Sequence, residues 1–193
     1  GMNRSVSAVK NGDEKKRALP SPGPRRPARE KTREKEYLLV DGYNIIFAWE
    51  ELQELAKVNI ESARNKLMDI LCNYQGYRQM TLILVFDAYR VEGGQGEVFR
   101  YNNIYVVYTR EAETADQYIE KTVHEMGRQH QVTVATSDAT EQVIIMGQGA
   151  RRLSARDLRE EIRAAGEEMR QEHLQKKSSD RNYLLDYLPR ELT

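Results

Sequence analysis

The sequence predicts an α/β domain, a three-layer α/β/α sandwich around a mostly parallel sheet, and three observations carry that prediction. From Tyr37 onward, short apolar runs of strand length alternate with segments of helical periodicity. This alternation implies crossover connections and parallel strands. The run Thr81-Leu-Ile-Leu-Val-Phe-Asp87 is apolar without alternation, as a strand covered on both faces must be. Carboxylates recur just past the strand runs, at the edge where open α/β sheets hold their ligands.

Tyr37-Leu-Leu-Val-Asp41 is the first strand, ended by Asp41-Gly42, a pair that reads as a turn. Ile60, Ala63, Leu67, Ile70, Leu71 and Tyr74 recur on one face of a helix spanning 59–74. After the strand at 81–86, the segment Ala88–Asn103 carries Gly93-Gly94-Gln-Gly96 and reads as a long loop, either a flap over a substrate or a merely disordered stretch. Ile104-Tyr-Val-Val-Tyr108 is the next strand. Thr114 then opens a helix through a Thr-x-x-Gln capping box closed by Gln117. Val132-Thr-Val-Ala-Thr136 is the fourth strand, with a helix over 139–146 behind it. Ser154 and Asp157 cap a further helix from about Ala155 to Glu172, and the patch Tyr183-Leu-Leu-Asp-Tyr-Leu188 is expected to pack back on the body.

The 193 residues carry 30 basic and 30 acidic side chains, but the neutral sum hides two unlike parts. Residues 1–36 hold eleven Lys/Arg against five Asp/Glu, four of the five prolines and no aromatic residue. So polar a stretch buries too little apolar surface to offset its ordering entropy. It reads as a basic, Pro-rich linker or arm, and 37–193 as the domain. Deleting the arm is expected to leave the melting temperature nearly unchanged; a large drop in a thermal scan would show that it packs on the body.

No uninterrupted apolar run is longer than Leu82 to Phe86, which is far short of a membrane span of ~20 residues, and no signal peptide is recognisable. Gly1 ahead of Met2 reads as a residue left by tag cleavage. Cys72 is alone, which excludes an internal disulfide and a multi-cysteine zinc site. His124, His130 and His173 show no metal-binding spacing. A cytoplasmic protein without membrane contact is expected.

Of nine aspartates, four fall at one sheet edge in consecutive strand–helix units: Asp41, Asp87, Asp116 and Asp138. Gathering that many anions costs energy unless a cation sits among them. Carboxylates with open positions suit Mg²⁺ or Mn²⁺, and a metal pair there would clamp the attacking and leaving oxygens of a phosphodiester. Taken singly, Asp116 and Asp138 also fit helix-end roles. Arg151, Arg152, Arg156 and Arg159 are suited to gripping phosphates, and Tyr43 and Tyr89 are candidates for stacking on bases, with packing as the competing role for each.

Val40-Asp-Gly-Tyr-Asn-Ile-Ile46, Val85-Phe-Asp-Ala88, Thr114-Ala-Asp-Gln-Tyr-Ile119, Thr136-Ser-Asp138 and Gly147-Gln-Gly-Ala-Arg-Arg-Leu-Ser-Ala155 occur in that order. In this the chain resembles the YacP-like branch of the NYN domains, within the PIN-like nuclease superfamily, over about residues 37–192. The resemblance implies a metal-dependent endoribonuclease acting on single-stranded or ribosome-associated mRNA. Asp41, Asp116 and Asp138 match its acidic ligands, Asp87 completes the pocket, Asn44 would orient substrate or a water on the metal, and Ser137 would bond in the same shell. It further implies decay of RNA at the ribosome, and in some members fusion to a translation-factor-like GTPase, for which the first 36 residues would be a linker. The rival function is a non-catalytic RNA- or ribosome-binding module on the same fold. A haloacid dehalogenase-type phosphatase is disfavoured, since position 43 is Tyr where Asp-x-Asp is wanted.

Overall fold

The computed structural model describes residues 33–90, 93, 95–139 and 145–187. Six strands form one sheet: β1 (Glu36–Asp41), β2 (Thr81–Phe86), β3 (Val98–Tyr101), β4 (Ile104–Tyr108), β5 (Gln131–Ala135) and β6 (Arg151–Leu153). Their order is β3-β4-β2-β1-β5-β6, parallel except for the β3–β4 hairpin. The sheet begins slightly before the expected boundary: Glu36 pairs with Gln131, and the Gln131 amide donates to the Lys35 carbonyl. The remaining arm, 1–32, lies outside the described residues.

Helices cover both faces, so the three-layer architecture is as the sequence predicts. Leu38, Val40, Leu82, Leu84, Phe86, Ile104 and Val106 face one core, shared with α1 (Gly42–Ala48), α2 (Glu50–Val58), α3 (Ile60–Arg78) and the first turns of α5 (Ala155–Tyr187). Leu39, Ile83, Val85, Val107, Val132 and Val134 face the other, with Ile119 and Val123 of α4 (Ala115–Met126). Strand side chains alternate between faces, so a fully apolar run is what a sheet with two cores requires. Cys72 is buried in the first core, and the Thr114–Gln117 capping box of α4 is formed in full.

Besides α2, which the sequence reading did not assign, four elements depart from expectation. β1 passes into α1 with no intervening loop, so Asp41-Gly42 is a strand–helix junction and not a turn. Four residues of the expected loop, Val98–Tyr101, form β3, an edge strand whose hairpin turns at Asn102, at φ 50°, a conformation asparagine tolerates. The flap expectation falls partly on Val91, Glu92 and Gly94, outside the described residues. Arg151 and Arg152 open β6, a strand the sequence did not indicate, while Arg156 and Arg159 lie in the first turns of α5 (Ala155–Tyr187). Finally, α5 continues for 33 residues, about 50 Å at 1.5 Å per residue. Through Tyr187, the patch expected to pack back is exposed on this rod, because no proline or glycine after Gly166 breaks it; Leu188 lies outside the described residues. Tyr74 fastens α3 to the near end of α5 by donating to Glu161 Oε2 at 3.0 Å, and burial, then Glu161, pushes its hydroxyl pKa up to about 12. Among the described residues no helix is long and apolar enough to cross a membrane.

Candidate active site

The chain leaves β1 for β2 and β4 on one side, then returns to place β5 on β1's other side. The crevice beyond the carboxyl ends of β1 and β5 is therefore the topological switch point, where open α/β sheets bind ligands. A cavity of about 520 Å³ opens there. Asp41, Asn44, Asp87, Asp116 and Asp138 all line it, together with Tyr43, Ser137 and Tyr89. The four aspartates singled out at the strand ends thus face one space.

Local structure holds each in turn. Asp41 is the last residue of β1, paired with Val85 of β2 one step beyond the last β1–β5 pair, and is only 4% exposed. Its Oδ2 accepts from the Thr136 hydroxyl at 3.5 Å, and that hydroxyl accepts from the Asp138 amide at 3.1 Å, so one buried threonine ties two of the acids. Asn44, in the first turn of α1, accepts through Oδ1 from both the amide and the hydroxyl of Ser137. Asp87 Oδ1 accepts from the Ala115 amide at 2.5 Å, which fixes the start of α4 and hence Asp116 beside it. Asp87 therefore serves as a helix-end acceptor as well as lining the cavity.

Sequence reasoning assigned no role to Thr136 and missed Thr109. Thr109 is 1% exposed; its hydroxyl accepts from the Ala88 amide at 3.0 Å and donates to the Glu113 carbonyl at 2.7 Å. It thereby joins the residue after Asp87 to the approach to α4. Its position one residue past β4 was the available signal. Thr109→Val is expected to destabilise the protein by roughly 1–3 kcal/mol, because the buried Ala88 amide and the partly buried Glu113 carbonyl lose their partner, whereas Thr109→Ser keeps both bonds. Urea unfolding of the two variants checks this; a Val variant as stable as the wild type would refute it.

Of the two roles open to Tyr43 the structure shows packing: it is buried, its ring 5.0 Å from Phe86 and its hydroxyl accepting from Arg64. The exposed aromatics lining the cavity are Tyr89 and, less so, Phe47. The arginines are divided as well. Arg152, Arg156 and Arg159 line a neighbouring cavity, but Arg151 lines neither and pairs with Glu161 at 3.6 Å. Successive strand residues point to opposite faces, so Arg151 and Arg152 cannot serve one groove.

Among the described residues lining the acidic cavity there is no lysine, arginine or histidine. No three acidic, histidine or cysteine side chains among the described residues already stand as a finished metal cage. The donor set nevertheless fits a hard divalent cation, because carboxylate oxygens with few protein ligands and remaining open positions are what Mg²⁺ and Mn²⁺ use.

Fold and site together define a PIN-like α/β/α domain with a four-carboxylate cavity at its switch point. The chain belongs to the YacP-like NYN domain family, whose model matches residues 38–193. It is 44% identical over 128 residues to the Bacillus subtilis (strain 168) protein YacP, described as uncharacterized, covering 66% of this chain and 75% of that one. Two crystal structures of Rae1 (YacP) from B. subtilis are similar at 39% identity. The first covers 76% of this chain and 84% of the other with a TM-score of 0.63; a tryptophan-to-leucine mutant of the same protein covers 74% and 84% with a TM-score of 0.62.

Proposed function

We propose that the protein is a divalent-metal-dependent endoribonuclease that hydrolyses phosphodiester bonds of single-stranded or ribosome-associated mRNA. The observation that carries the reading is the convergence of Asp41, Asp87, Asp116 and Asp138 on one cavity whose described lining contains no cationic side chain. Membership of the NYN family supports a nuclease class over the other metal-dependent chemistries that carboxylates serve.

Asp41, Asp116 and Asp138 would hold Mg²⁺ or Mn²⁺, which when bound neutralises phosphate oxygens and lowers the pKa of water to generate the nucleophile. The chain's own residues do the rest. Thr136 fixes the carboxylate of Asp41, and burial of that residue excludes competing solvent. Because Ser137 occupies Asn44 Oδ1, the amide protons of Asn44 are the donors it retains for a substrate phosphate oxygen. Tyr89, 70% exposed at the rim, presents a ring for stacking on an unpaired base.

The test is cleavage of an end-labelled single-stranded RNA in Mn²⁺ or Mg²⁺, with and without EDTA, first on naked RNA and then on translating ribosomes. Cleavage that stops in EDTA is expected. RNA binding with no cleavage under either condition would replace the enzyme with a binding module on the same fold.

A further inference from the structure

The acidic cavity does not end at its own rim. A second cavity of about 580 Å³ adjoins it, and Ala48 and Ser137 line both. Its walls come from the start of α2, the end of β6 and the first turns of α5. Two of its four arginines are engaged. Arg159 pairs with Glu51 and lies 4.9 Å from the centre of the Trp49 ring; burial, then the neighbouring Arg163, draws its pKa below the usual arginine value. Arg163 stands 3.5 Å from Glu160. Arg152 and Arg156 are exposed and have no ion-pair partner among the described residues. With the two pairs neutralised, Glu50 is the remaining acid on this wall, so the groove keeps a positive excess.

Open guanidiniums directly beside four carboxylates suit a polyanion that carries a cation at one phosphate and meets arginine at the next. An acidic peptide does not fit this pair of neighbours, because nothing in it would favour the carboxylate side. We infer that a single RNA strand leaves the acidic cavity over Ser137 and lays its following phosphates on Arg152 and Arg156. Recognition is then one-sided, and nucleotides on that flank of the scissile bond hold the strand in place. This rests on the reading that the acidic cavity acts on RNA, but it is tested by binding alone.

The experiment is fluorescence anisotropy of a labelled single-stranded RNA in EDTA, titrated across potassium chloride concentrations. Each phosphate contact to single-stranded nucleic acid contributes about 0.7 to the slope of log affinity against log salt. The double variant Arg152→Gln/Arg156→Gln is therefore expected to reduce the slope by about 1.4 at an unchanged melting temperature. Arg152→Lys/Arg156→Lys should restore it, and Arg151→Gln, outside the groove, should leave it as in the wild type. Equal slopes in the folded Gln variant, no RNA binding by the wild type, or displacement of RNA by poly-glutamate as effective as by unlabelled RNA would each overturn the inference. Failure of the nuclease reading has a different signature: no cleavage in any metal, with the slope difference intact.

Discussion

Asp41→Asn is expected to lower metal-dependent RNA cleavage by about two to three orders of magnitude, the size of losing one preorganised electrostatic contact at a reacting centre. The fold should not change. Asparagine has nearly the volume of aspartate and keeps an oxygen that accepts from Thr136, which stands 3.5 Å away. What disappears is a negative charge at a position 4% exposed, facing a cavity shared with three other carboxylates. Mutual repulsion among them falls, so in EDTA the variant should melt no lower than the wild type. Metal separates the two proteins by a readout independent of activity. A ligand that binds only the folded state stabilises it by RT ln(1 + [L]/Kd), so Mn²⁺ should raise the wild-type melting temperature and raise that of the variant much less. A folded Asp41→Asn protein with full activity and an undiminished Mn²⁺ shift would remove the cavity from the mechanism.

The acids were legible in the sequence because strand ends are legible. β1, β2, β4 and β5 announce themselves as apolar runs, and once the strands are taken as parallel, Asp41, Asp87, Asp116 and Asp138 must lie at the same edge. The elements that escaped are those whose order comes from distant partners. β6 is three residues long, two of them arginine, and exists because its backbone pairs with β5. β3 is an edge strand of alternating exposure beside a glycine-rich stretch that masks it. α1 was hidden because Asp-Gly has the chemistry of a turn, and only the position of β2 beside β1 shows that glycine is there for another reason. Thr109 and Thr136 are invisible for a related cause: each hydroxyl bonds groups from different segments, and no pattern along the chain encodes that meeting.

Gly42→Ala should then be among the most damaging single substitutions in the domain, although it adds one methyl group and strains no dihedral angle. A Cβ at position 42 would stand 2.5 Å from one Phe86 ring carbon, closer still to the next, and 2.9 Å from the Val85 carbonyl oxygen. Phe86 is fully buried, with Tyr43 and Tyr108 packed against it, so the ring has no empty space to enter. α1 must move away from β2 instead. Because Asn44 and Tyr43 ride on that helix, the displacement also reaches the cavity wall. Overpacking of this kind costs about 1–3 kcal/mol and occasionally more, and contact with a rigid strand carbonyl places this case at the upper end. Phe86→Leu in the same chain should recover part of the loss by removing the ring carbons while the Val85 oxygen still obstructs. The double variant is therefore expected to be more stable than the sum of the two single effects allows, as residues in contact couple. Urea denaturation of the four proteins in that cycle measures the coupling. Additive losses, or a Gly42→Ala protein that unfolds with the wild type, would mean that α1 does not rest on β2 through this glycine.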